Sequence, residues 1–267
     1  MIVSTEAIAL RIHPFSNTSH MVAWLSPLYG RIVTSIKGAC RPKSFFLGQY
    51  DVGATCQLLF YRRDSNGVHV ARECSPVKMR EGLRGDWRRA AAASYACDFV
   101  SRLAQPMLES VRLFELLEAT LDAFAAGAPS PARALLMFEM MALRAVGLAP
   151  NLEACEGCSG AGGRDCRFAL NAGRPACFRA PPAPGEPTVM VPPGVLQALR
   201  DFEESQGRGV PPSWDDPVIE LGLRRFLGVF IGCHLDLPPA TRRTAFEWIE
   251  WDPGDILRHS RVATPGS

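Results

Sequence analysis

Short runs of alternating apolar and polar side chains fill the first eighty residues of the chain. They are rich in β-branched and aromatic residues, lie roughly ten residues apart, and are separated by turn-forming segments such as Ser26-Pro27. A handful of short strands in this length suits a small closed barrel. An OB-fold is the first candidate, and an SH3-like barrel fits the spacing nearly as well. The runs are EAIALRIHPF, HMVAWLSP, GRIVTSIKG, ATCQLLFYRR and GVHVARECSPV.

The pattern changes to a helical period after Gly85. Each predicted helix begins at a residue that caps helix N-termini or at a proline, which is tolerated in the first turn. These signals predict a helix over 86–103, one that begins at Glu109 or Ser110 and reaches about Ala126, and one that begins at Ser130-Pro131 and ends at Ala145. They also predict a helix after Pro192-Pro193 and a long last helix after Asp215-Asp216-Pro217.

The sequence therefore predicts an α+β protein of several domains, in which a five-stranded OB-fold β-barrel precedes a mainly α-helical domain with a cysteine-containing, zinc-finger-like insertion. The insertion is expected to project from the helical domain rather than to form part of its core. The predicted parts are the barrel at 1–80, the first helices at 81–150, the insertion at 151–187, the closing helices at 188–240 and a polar C-terminal tail at 241–267.

The charge of the chain is unevenly distributed. The 267 residues are 47% hydrophobic and 21% charged, as expected of a chain that buries a core, and the net charge is only +2. Residues 1–80 hold ten Lys and Arg against four Asp and Glu, a balance of +6, so the remaining residues sum to −4. A basic N-terminal third indicates a localised anionic partner. No signal peptide or membrane span is recognised, and a cytoplasmic, nucleoid-associated protein is expected.

The most basic segment runs from Tyr29 to Gly48, YGRIVTSIKGACRPKSFFLG. It reads as a strand that leads into a glycine-containing loop, with no carboxylate and with two aromatic residues at the end. Cations beside aromatic faces can neutralise phosphates and stack exposed bases. The alternative is a solvated hairpin whose aromatic side chains face the core. The cations are Arg31, Lys37, Arg41 and Lys43, and the aromatics are Phe45 and Phe46.

The insertion contains four of the nine cysteines. Cys155 and Cys158 have the two-residue spacing of a zinc knuckle, but a second such pair is incomplete, because Ala180 stands where a partner for Cys177 would be. A four-thiolate zinc site made by Cys155, Cys158, Cys166 and Cys177 is one interpretation. A former metal loop that is now held by packing is the other.

No catalytic motif is recognised in the sequence. The chain lacks a Gly-Lys-Ser/Thr phosphate loop, a G-x-S-x-G elbow, an H-E-x-x-H helix and a dinucleotide fingerprint, and its five histidines are dispersed. Glu115, Glu118 and Asp122 recur at helical spacing and are expected to form a solvated face rather than a catalytic site. The protein is therefore not expected to be an enzyme.

Three segments in the right order resemble the RecO family of bacterial DNA repair and recombination mediators. The N-terminal A-x-x-L-R at Ala7 to Arg11, followed by MVAWLSPLYGRIVTSIKGACRPKS, is similar to that family's strand, turn, strand and K-G-A-R-R-P-K-S loop. Cys40 takes a position that is commonly basic in the loop. FEMMALRAVGLAPNLEACEGC and RRFLGVFIGCHLDLPPATRR resemble its central and closing segments.

The resemblance implies an N-terminal OB-fold, a helical C-terminal domain and a zinc-type insertion, in which the break at Ala180 leaves zinc binding open. It also implies binding of single- and double-stranded DNA, annealing of complementary strands, and cooperation with RecR in helping RecA replace single-stranded-DNA-binding protein. On the matching positions, DNA contacts are expected at Arg31, Lys37, Arg41 and Lys43, with Arg11 as a further candidate.

A protein-interaction scaffold is the competing hypothesis. In this hypothesis the barrel binds an acidic tail of another protein, and contact with DNA is incidental. The balance of −4 outside residues 1–80 favours it, since the larger part of the chain offers no basic stripe for nucleic acid.

Overall fold

The N-terminal domain is a closed five-stranded barrel. The computed structural model describes residues 1–63, 67–153, 165–177, 180–205, 209–235 and 237–250. The strands of the barrel are β1 (Ile2–Ser16), β2 (Ser19–Ser26), β3 (Gly30–Ile36), β4 (Thr55–Tyr61) and β5 (Val68–Lys78). They neighbour one another in the order β1-β2-β3-β5-β4, and the long β1 pairs with both β2 and β4. A parallel contact joins β3 to β5. This five-stranded closure confirms the predicted OB-fold.

The barrel interior follows from the alternation of each strand. In β3, Ile32, Thr34 and Ile36 are buried while the residues between them are partly exposed. Trp24 of β2 is fully buried and its indole Nε1 donates a hydrogen bond of 2.9 Å to the Thr34 hydroxyl. The bond satisfies the one polar group of a large core side chain, so this tryptophan contributes its apolar area without an unpaired donor.

The helical domain begins where the sequence predicts it. Three caps act as expected: Asp86 accepts from the Arg88 N–H, Ser130 from the Arg133 N–H, and Asp216 from the Val218 N–H. The Ser110 side chain at the start of α2 accepts no such bond. A three-stranded sheet interrupts the helices. The elements are α1 (Trp87–Leu103), α2 (Val111–Ala126), α3 (Pro131–Ala145), β6 (Cys166–Ala169), β7 (Arg174–Ala176), β8 (Thr188–Val191), α4 (Pro193–Glu204), α5 (Pro217–His234) and α6 (Pro239–Glu250). No helix in the described part of the chain is long and apolar enough to cross a membrane.

The barrel and the helical domain share a hydrophobic core. Ile8, Leu10 and Leu25 lie on the outer surface of the barrel, yet they are buried in the same cluster as the helical residues, because α1 packs across β1 and β2. A β-bulge between Ala9 and Arg11 adds one more residue to the same outer face. The extra residue leaves both Leu10 and Arg11 on the outer surface, toward the helices.

The C-terminal segment differs from the predicted polar tail, because residues 239–250 form α6. Its buried face consists of Arg242, Ala245, Phe246 and Ile249, which have helical spacing. The arginine is satisfied by Glu139 of α3, whose carboxylate is fully buried: Nε lies 2.6 Å from Oε1 and Nη2 2.7 Å from Oε2. A charged residue at a core position, with a partner 103 residues away, hides the amphipathic pattern of the helix.

The insertion also differs from the expected excursion. Its sheet has the order β7-β6-β8, and β8 lies entirely beyond the predicted boundary at residue 187. Phe168 of β6 is fully buried, with its ring 5.0 Å from that of Phe226 and 6.2 Å from that of Phe230, both on α5. This part of the insertion therefore belongs to the helical core.

Candidate nucleic-acid interface

Strand β3 carries two of the predicted DNA-contacting residues to opposite ends of the barrel. Arg31 follows the first residue of β3, and Lys37 follows its last. A strand rises about 3.3 Å per residue, so the two positions are separated by about 20 Å. Both side chains belong to the outward-facing set, as the alternation predicts, and they mark the two ends of one face of the barrel.

The loop after β3 presents cations to solvent. Lys37, Arg41 and Lys43 are all exposed, and the structure describes no ion pair for any of them. The first carboxylate after them is Asp51, which lies 2.7 Å from the guanidinium of Arg84. We call residues 37–50 the basic loop. Its positive charge is not neutralised locally by the described residues, so it is available to an anionic partner.

The two aromatic residues of the basic loop have different environments. Phe45 is 96% exposed, whereas Phe46 is partly buried against the barrel core. The sequence is compatible with rings that face the solvent or the core, and the structure has one of each. A large aromatic ring in solvent beside three cations is a surface on which an unpaired base can stack.

Three hydrogen bonds hold the centre of the loop against the turn between β1 and β2. The Cys40 N–H donates to the Thr18 carbonyl at 3.2 Å, and the Cys40 Sγ lies 3.1 Å from His20 Nε2. The other ring nitrogen of His20 is 2.7 Å from the Tyr50 hydroxyl. Burial raises the pKa of Tyr50, so its hydroxyl stays protonated. These contacts fix the backbone of the loop while the flanking cations remain exposed.

Arg11 lies apart from the basic loop. Its guanidinium pairs with Asp98 of α1, which also receives a hydrogen bond of 3.4 Å from Arg102 Nε. Burial, and then the positive charges of Arg102 and Arg31, lower the pKa of Arg11 from its ordinary value. The five predicted contacts therefore separate into the basic loop and a group at the boundary between the domains. Arg102 was missed, because nothing in the sequence places the end of α1 beside β1.

The loop between β4 and β5 adds two cations that the sequence analysis did not single out. Arg62 and Arg63 are exposed, and the Arg63 N–H donates to His69 Nδ1 at 3.1 Å. In OB-folds this loop borders the face that binds oligonucleotides. Arg62 and Arg63 could have been identified from the position of this loop in an OB-fold.

Of the three carboxylates predicted to form a solvated face, Glu115 is exposed as predicted, whereas Glu118 and Asp122 connect the two domains. Arg80, whose side chain is 1% exposed, lies 2.6 Å from Asp122 and 3.3 Å from Glu118, both on α2. It also donates to the Gly53 carbonyl and the Thr55 hydroxyl of the barrel. Burial acts to raise the pKa of Asp122, but hydrogen bonds from Lys78 and Arg80 outweigh it and lower that pKa. The role of Glu118 and Asp122 is thus structural.

The described residues supply two of the four thiols of the predicted zinc site. Arg167 pairs with Ala176, so Cys166 and Cys177 are neighbours at the same end of the β6-β7 hairpin. The Cys177 N–H donates to the carbonyl of Ala180, the residue that stands where the second thiol of a knuckle would be. Burial raises the pKa of Cys166, which disfavours the thiolate. Cys155 and Cys158 lie outside the described residues, and zinc binding stays a prediction.

Comparison with known protein families covers both domains. Residues 1–80 match the family model described as Recombination protein O N terminal, and residues 84–243 match the model described as Recombination protein O C terminal. The boundary between the two matches coincides with the end of the barrel.

Proteins named DNA repair protein RecO are similar over most of the chain. The protein of Anaeromyxobacter sp. (strain K) is 31% identical over 246 residues, 90% of this chain and 94% of the relative. That of Anaeromyxobacter dehalogenans (strain 2CP-1) is 32% identical over 241 residues, 88% and 92% of the two chains. That of Myxococcus xanthus is 28% identical over 234 residues, 86% and 91%. The OB-fold barrel, the helical domain and these matches together show that the chain belongs to the RecO family of DNA repair proteins.

Proposed function

We propose that this protein binds single-stranded DNA on the basic loop and anneals it to a complementary strand. The exposed loop cations beside the exposed ring of Phe45 are the observation that carries this proposal. Annealing requires no bond-making chemistry. It requires that the repulsion between two phosphate backbones is screened while the bases stay accessible for pairing, and a few cations on a fixed loop meet both requirements.

Recombination mediation is the wider role that we propose for this binding. In it, the protein acts with RecR and helps RecA replace single-stranded-DNA-binding protein on a DNA strand. Membership of the RecO family supports this role. The basic loop supports it physically, because contacts to phosphates alone do not depend on sequence, and a mediator must act on any exposed strand. Contact with double-stranded DNA uses the same phosphate chemistry.

The first test is annealing of complementary oligonucleotides, one of them coated with single-stranded-DNA-binding protein, across a salt titration. The variant replaces Lys37, Arg41 and Lys43 by Ala. A matched control replaces the exposed Arg144, Arg167 and Arg243 of the helical domain by Ala, with the same loss of charge. Each phosphate contact adds about 0.7 to the log-log salt slope on a single strand, so we expect the loop variant to lose about 2 from the slope.

The outcome of this test is decided by the difference between the two variants. We expect annealing to be abolished in the loop variant and preserved in the control, with no dependence on DNA sequence. Equal losses in both variants would show that total charge matters rather than the loop. Wild-type annealing by the loop variant would overturn the proposal.

Alkylation of native thiols gives an independent test. Cys40 lies in the basic loop and Cys233 lies near the end of α5, and both are exposed. We expect an oligonucleotide to slow the reaction of Cys40 with N-ethylmaleimide and to leave Cys233 unaffected, as measured by peptide mass spectrometry. Equal rates at Cys40 with and without DNA would place the DNA elsewhere.

The scaffold hypothesis predicts a different result in the same assay. An acidic peptide would then protect Cys40 at lower concentration than an oligonucleotide of equal charge. Protection by DNA at the lower concentration would instead favour nucleic acid as the partner of the basic loop.

A further inference from the structure

The thiol of Cys40 is the first member of a chain of three hydrogen-bonded side chains. Its Sγ lies 3.1 Å from Nε2 of His20, and Nδ1 of the same ring lies 2.7 Å from the Tyr50 hydroxyl. A thiol, a histidine within hydrogen-bond reach and a third group that orients the histidine form the arrangement by which proteins activate a nucleophilic sulfur. The basic loop supplies the first and third of these residues, and β2 supplies the histidine.

The barrel holds both partners of this thiol in place. His20 belongs to β2 and pairs with Ile36 of β3, on the strand face that also carries the buried Val22 and Trp24. The Tyr50 ring packs against the same barrel core, 5.9 Å from the ring of Trp24. Strand pairing and core packing therefore fix the geometry, as they do in sites that keep reacting groups aligned.

Cys40 combines this contact with exposure to solvent. Among the cysteines that the structure describes, Cys40 and Cys233 are exposed. The Cys233 thiol makes no hydrogen bond within the described part of the chain, whereas the Cys40 thiol has His20 beside it. A thiol that is both exposed and next to a base can react with a dissolved molecule, and a thiol buried among apolar groups is inert. The buried thiols are those of Cys56, Cys74 and Cys97.

The electrostatic environment of Cys40 is positive. Arg41 is the next residue, Lys37 and Lys43 lie three positions away on either side, and all three are exposed. The sequence from 37 to 50 contains no carboxylate. Nearby cations stabilise the negative charge that develops on sulfur as the thiol gives up its proton, and reactive cysteines occupy partly exposed, electropositive surroundings of this kind.

We propose that Cys40 is a peroxide-reactive thiol, with His20 as the base that takes its proton. In the tautomer in which Nδ1 donates to the Tyr50 oxygen, Nε2 accepts the proton of the thiol. The sulfur then attacks one oxygen of hydrogen peroxide, and the O–O bond breaks. The departing hydroxide receives the proton from His20, so the products are a sulfenic acid and water. The sulfur loses two electrons and the peroxide gains them.

Oxidation of Cys40 bears on DNA binding, because the thiol lies among the cations of the basic loop. A sulfenic acid condenses with glutathione, a negatively charged thiol, and releases water as the mixed disulfide forms. The added group is bulky and anionic, so it covers the loop and partly neutralises its charge. We expect DNA binding to weaken while the group is attached and to recover when a reductant removes it. This step of the inference rests on the proposed function.

The rate of sulfenic acid formation is the first test. The full chain is treated with hydrogen peroxide in the presence of dimedone, which traps sulfenic acids, and labelling is followed by peptide mass spectrometry. Cys233 is the internal control, because its thiol is exposed and has no described hydrogen bond. We expect Cys40 to be labelled about tenfold faster or more, as assistance by a positioned base permits. Equal rates at the two cysteines would overturn the inference.

Substitution of His20 separates the action of the base from simple exposure. His20→Phe keeps an aromatic ring and removes both nitrogens, so we expect the labelling rate of Cys40 to fall about tenfold. His13→Phe is the matched control: His13 is exposed on β1 and pairs with Met21, so it lies on the opposite face of the sheet from His20. We expect this control to react like the wild type. An unchanged rate at Cys40 in His20→Phe would reject the histidine as the base.

The pH dependence of alkylation distinguishes a base from a contact that only holds the loop. Iodoacetamide is reacted with the wild type between about pH 6 and pH 9, a range that brackets the titration of ordinary thiols. We expect the excess of the Cys40 rate over the Cys233 rate to be greatest at the acidic end. Coincident profiles for the two thiols would assign a purely structural role to His20. This measurement needs no variant, and circular dichroism and thermal melts establish that His20→Phe is folded.

A binding measurement keeps this inference separate from the proposed function. The wild type and Cys40→Ser are treated with peroxide and glutathione, and oligonucleotide binding is measured by fluorescence anisotropy. We expect about three- to tenfold weaker binding by the treated wild type, reversed by dithiothreitol, and no effect of the treatment on Cys40→Ser.

The outcomes of this measurement are distinguishable. Unchanged binding by the modified wild type, when the triple alanine variant of the basic loop loses binding, would leave the proposed function intact and reject control by oxidation. Wild-type binding by the triple alanine variant would reject the proposed function itself, and the labelling rates alone would then decide whether Cys40 is a peroxide-reactive thiol.

Discussion

Arginine and lysine side chains serve opposite purposes in the basic loop and in the helical domain. Lys37, Arg41 and Lys43 are exposed and have no described ion-pair partner, whereas Arg242 is buried against a fully buried carboxylate and an aromatic ring. We expect removal of the three loop cations to affect folding little and DNA binding strongly, and removal of Arg242 to affect folding strongly and DNA binding little. The difference shows that a basic residue acquires its role from its partner and its exposure.

The largest effect is expected at the buried pair. Arg242→Ala leaves the Glu139 carboxylate uncompensated in the core, so we expect a loss of about 3–5 kcal/mol in the free energy of unfolding, measured by urea denaturation. The triple variant Arg242→Met, Glu139→Leu and Tyr95→Phe should recover most of this loss, because it removes both charges together with the buried Tyr95 hydroxyl that donates to Glu139. A loss below about 1 kcal/mol in the single variant would indicate that Arg242 and Glu139 are in contact with water. The contrast with the exposed loop cations would then fail.

Phe45 and Phe46 of the basic loop allow the same comparison of an exposed and a buried side chain at two adjacent residues. Phe45→Ala should weaken single-stranded DNA binding by about 1–3 kcal/mol and leave stability unchanged, because the ring is exposed. Phe46→Ala should cost about 1–2 kcal/mol of stability, because its ring packs against the barrel core. Denaturation and anisotropy measurements on both variants test this, and an equal effect of the two changes on either quantity would contradict it.

A smaller, pH-dependent effect is expected at the ion pairs that join the domains. Lys78 and Arg80 lower the pKa of Asp122 from its ordinary value of 3.8, against the opposite effect of burial. A carboxyl group with a lowered folded-state pKa stabilises the protein above its unfolded pKa, and this stabilisation is lost as the pH falls through the folded-state value.

The Asp122 side chain is 41% exposed, so solvent screening limits the contribution to under about 1 kcal/mol. We expect the urea midpoint of the wild type to fall more between about pH 5 and pH 3 than that of Asp122→Asn. If the urea midpoints of the two proteins fell equally with pH, the charge of Arg80 would be balanced by Glu118 alone.

Local signals in the sequence determine most of the fold. The alternation in β3 and the caps at Asp86, Ser130 and Asp216 place strands and helices where the structure has them, because both are decided by neighbouring residues. The predicted polar tail is wrong for residues 239–250, which form α6, because the buried face of this helix includes Arg242, whose partner Glu139 lies 103 residues away in the chain. Long-range pairs of this kind leave no local pattern.

The candidate site was predictable to the same extent. The basic loop is a single segment, so its cations could be identified from the sequence alone. Arg102 could not, because its position beside Arg11 depends on how α1 packs across β1 and on the bulge that turns Arg11 outward. For the same reason the predicted solvated face on α2 is a joint between domains: Arg80 is 42 residues from Asp122 in the chain and adjacent to it in the fold.

The core shared by the barrel and the helices makes the molecule one cooperative unit of folding. Ile8, Leu10 and Leu25 would form an exposed apolar patch on an isolated barrel, so residues 1–80 should aggregate when they are produced alone, although a family boundary falls there. Native-state hydrogen exchange should accordingly find the strongest protection of β1 and of α1 lost in a single opening event. If DNA binds the barrel as proposed, the shared core fixes the orientation of the bound strand relative to the helices.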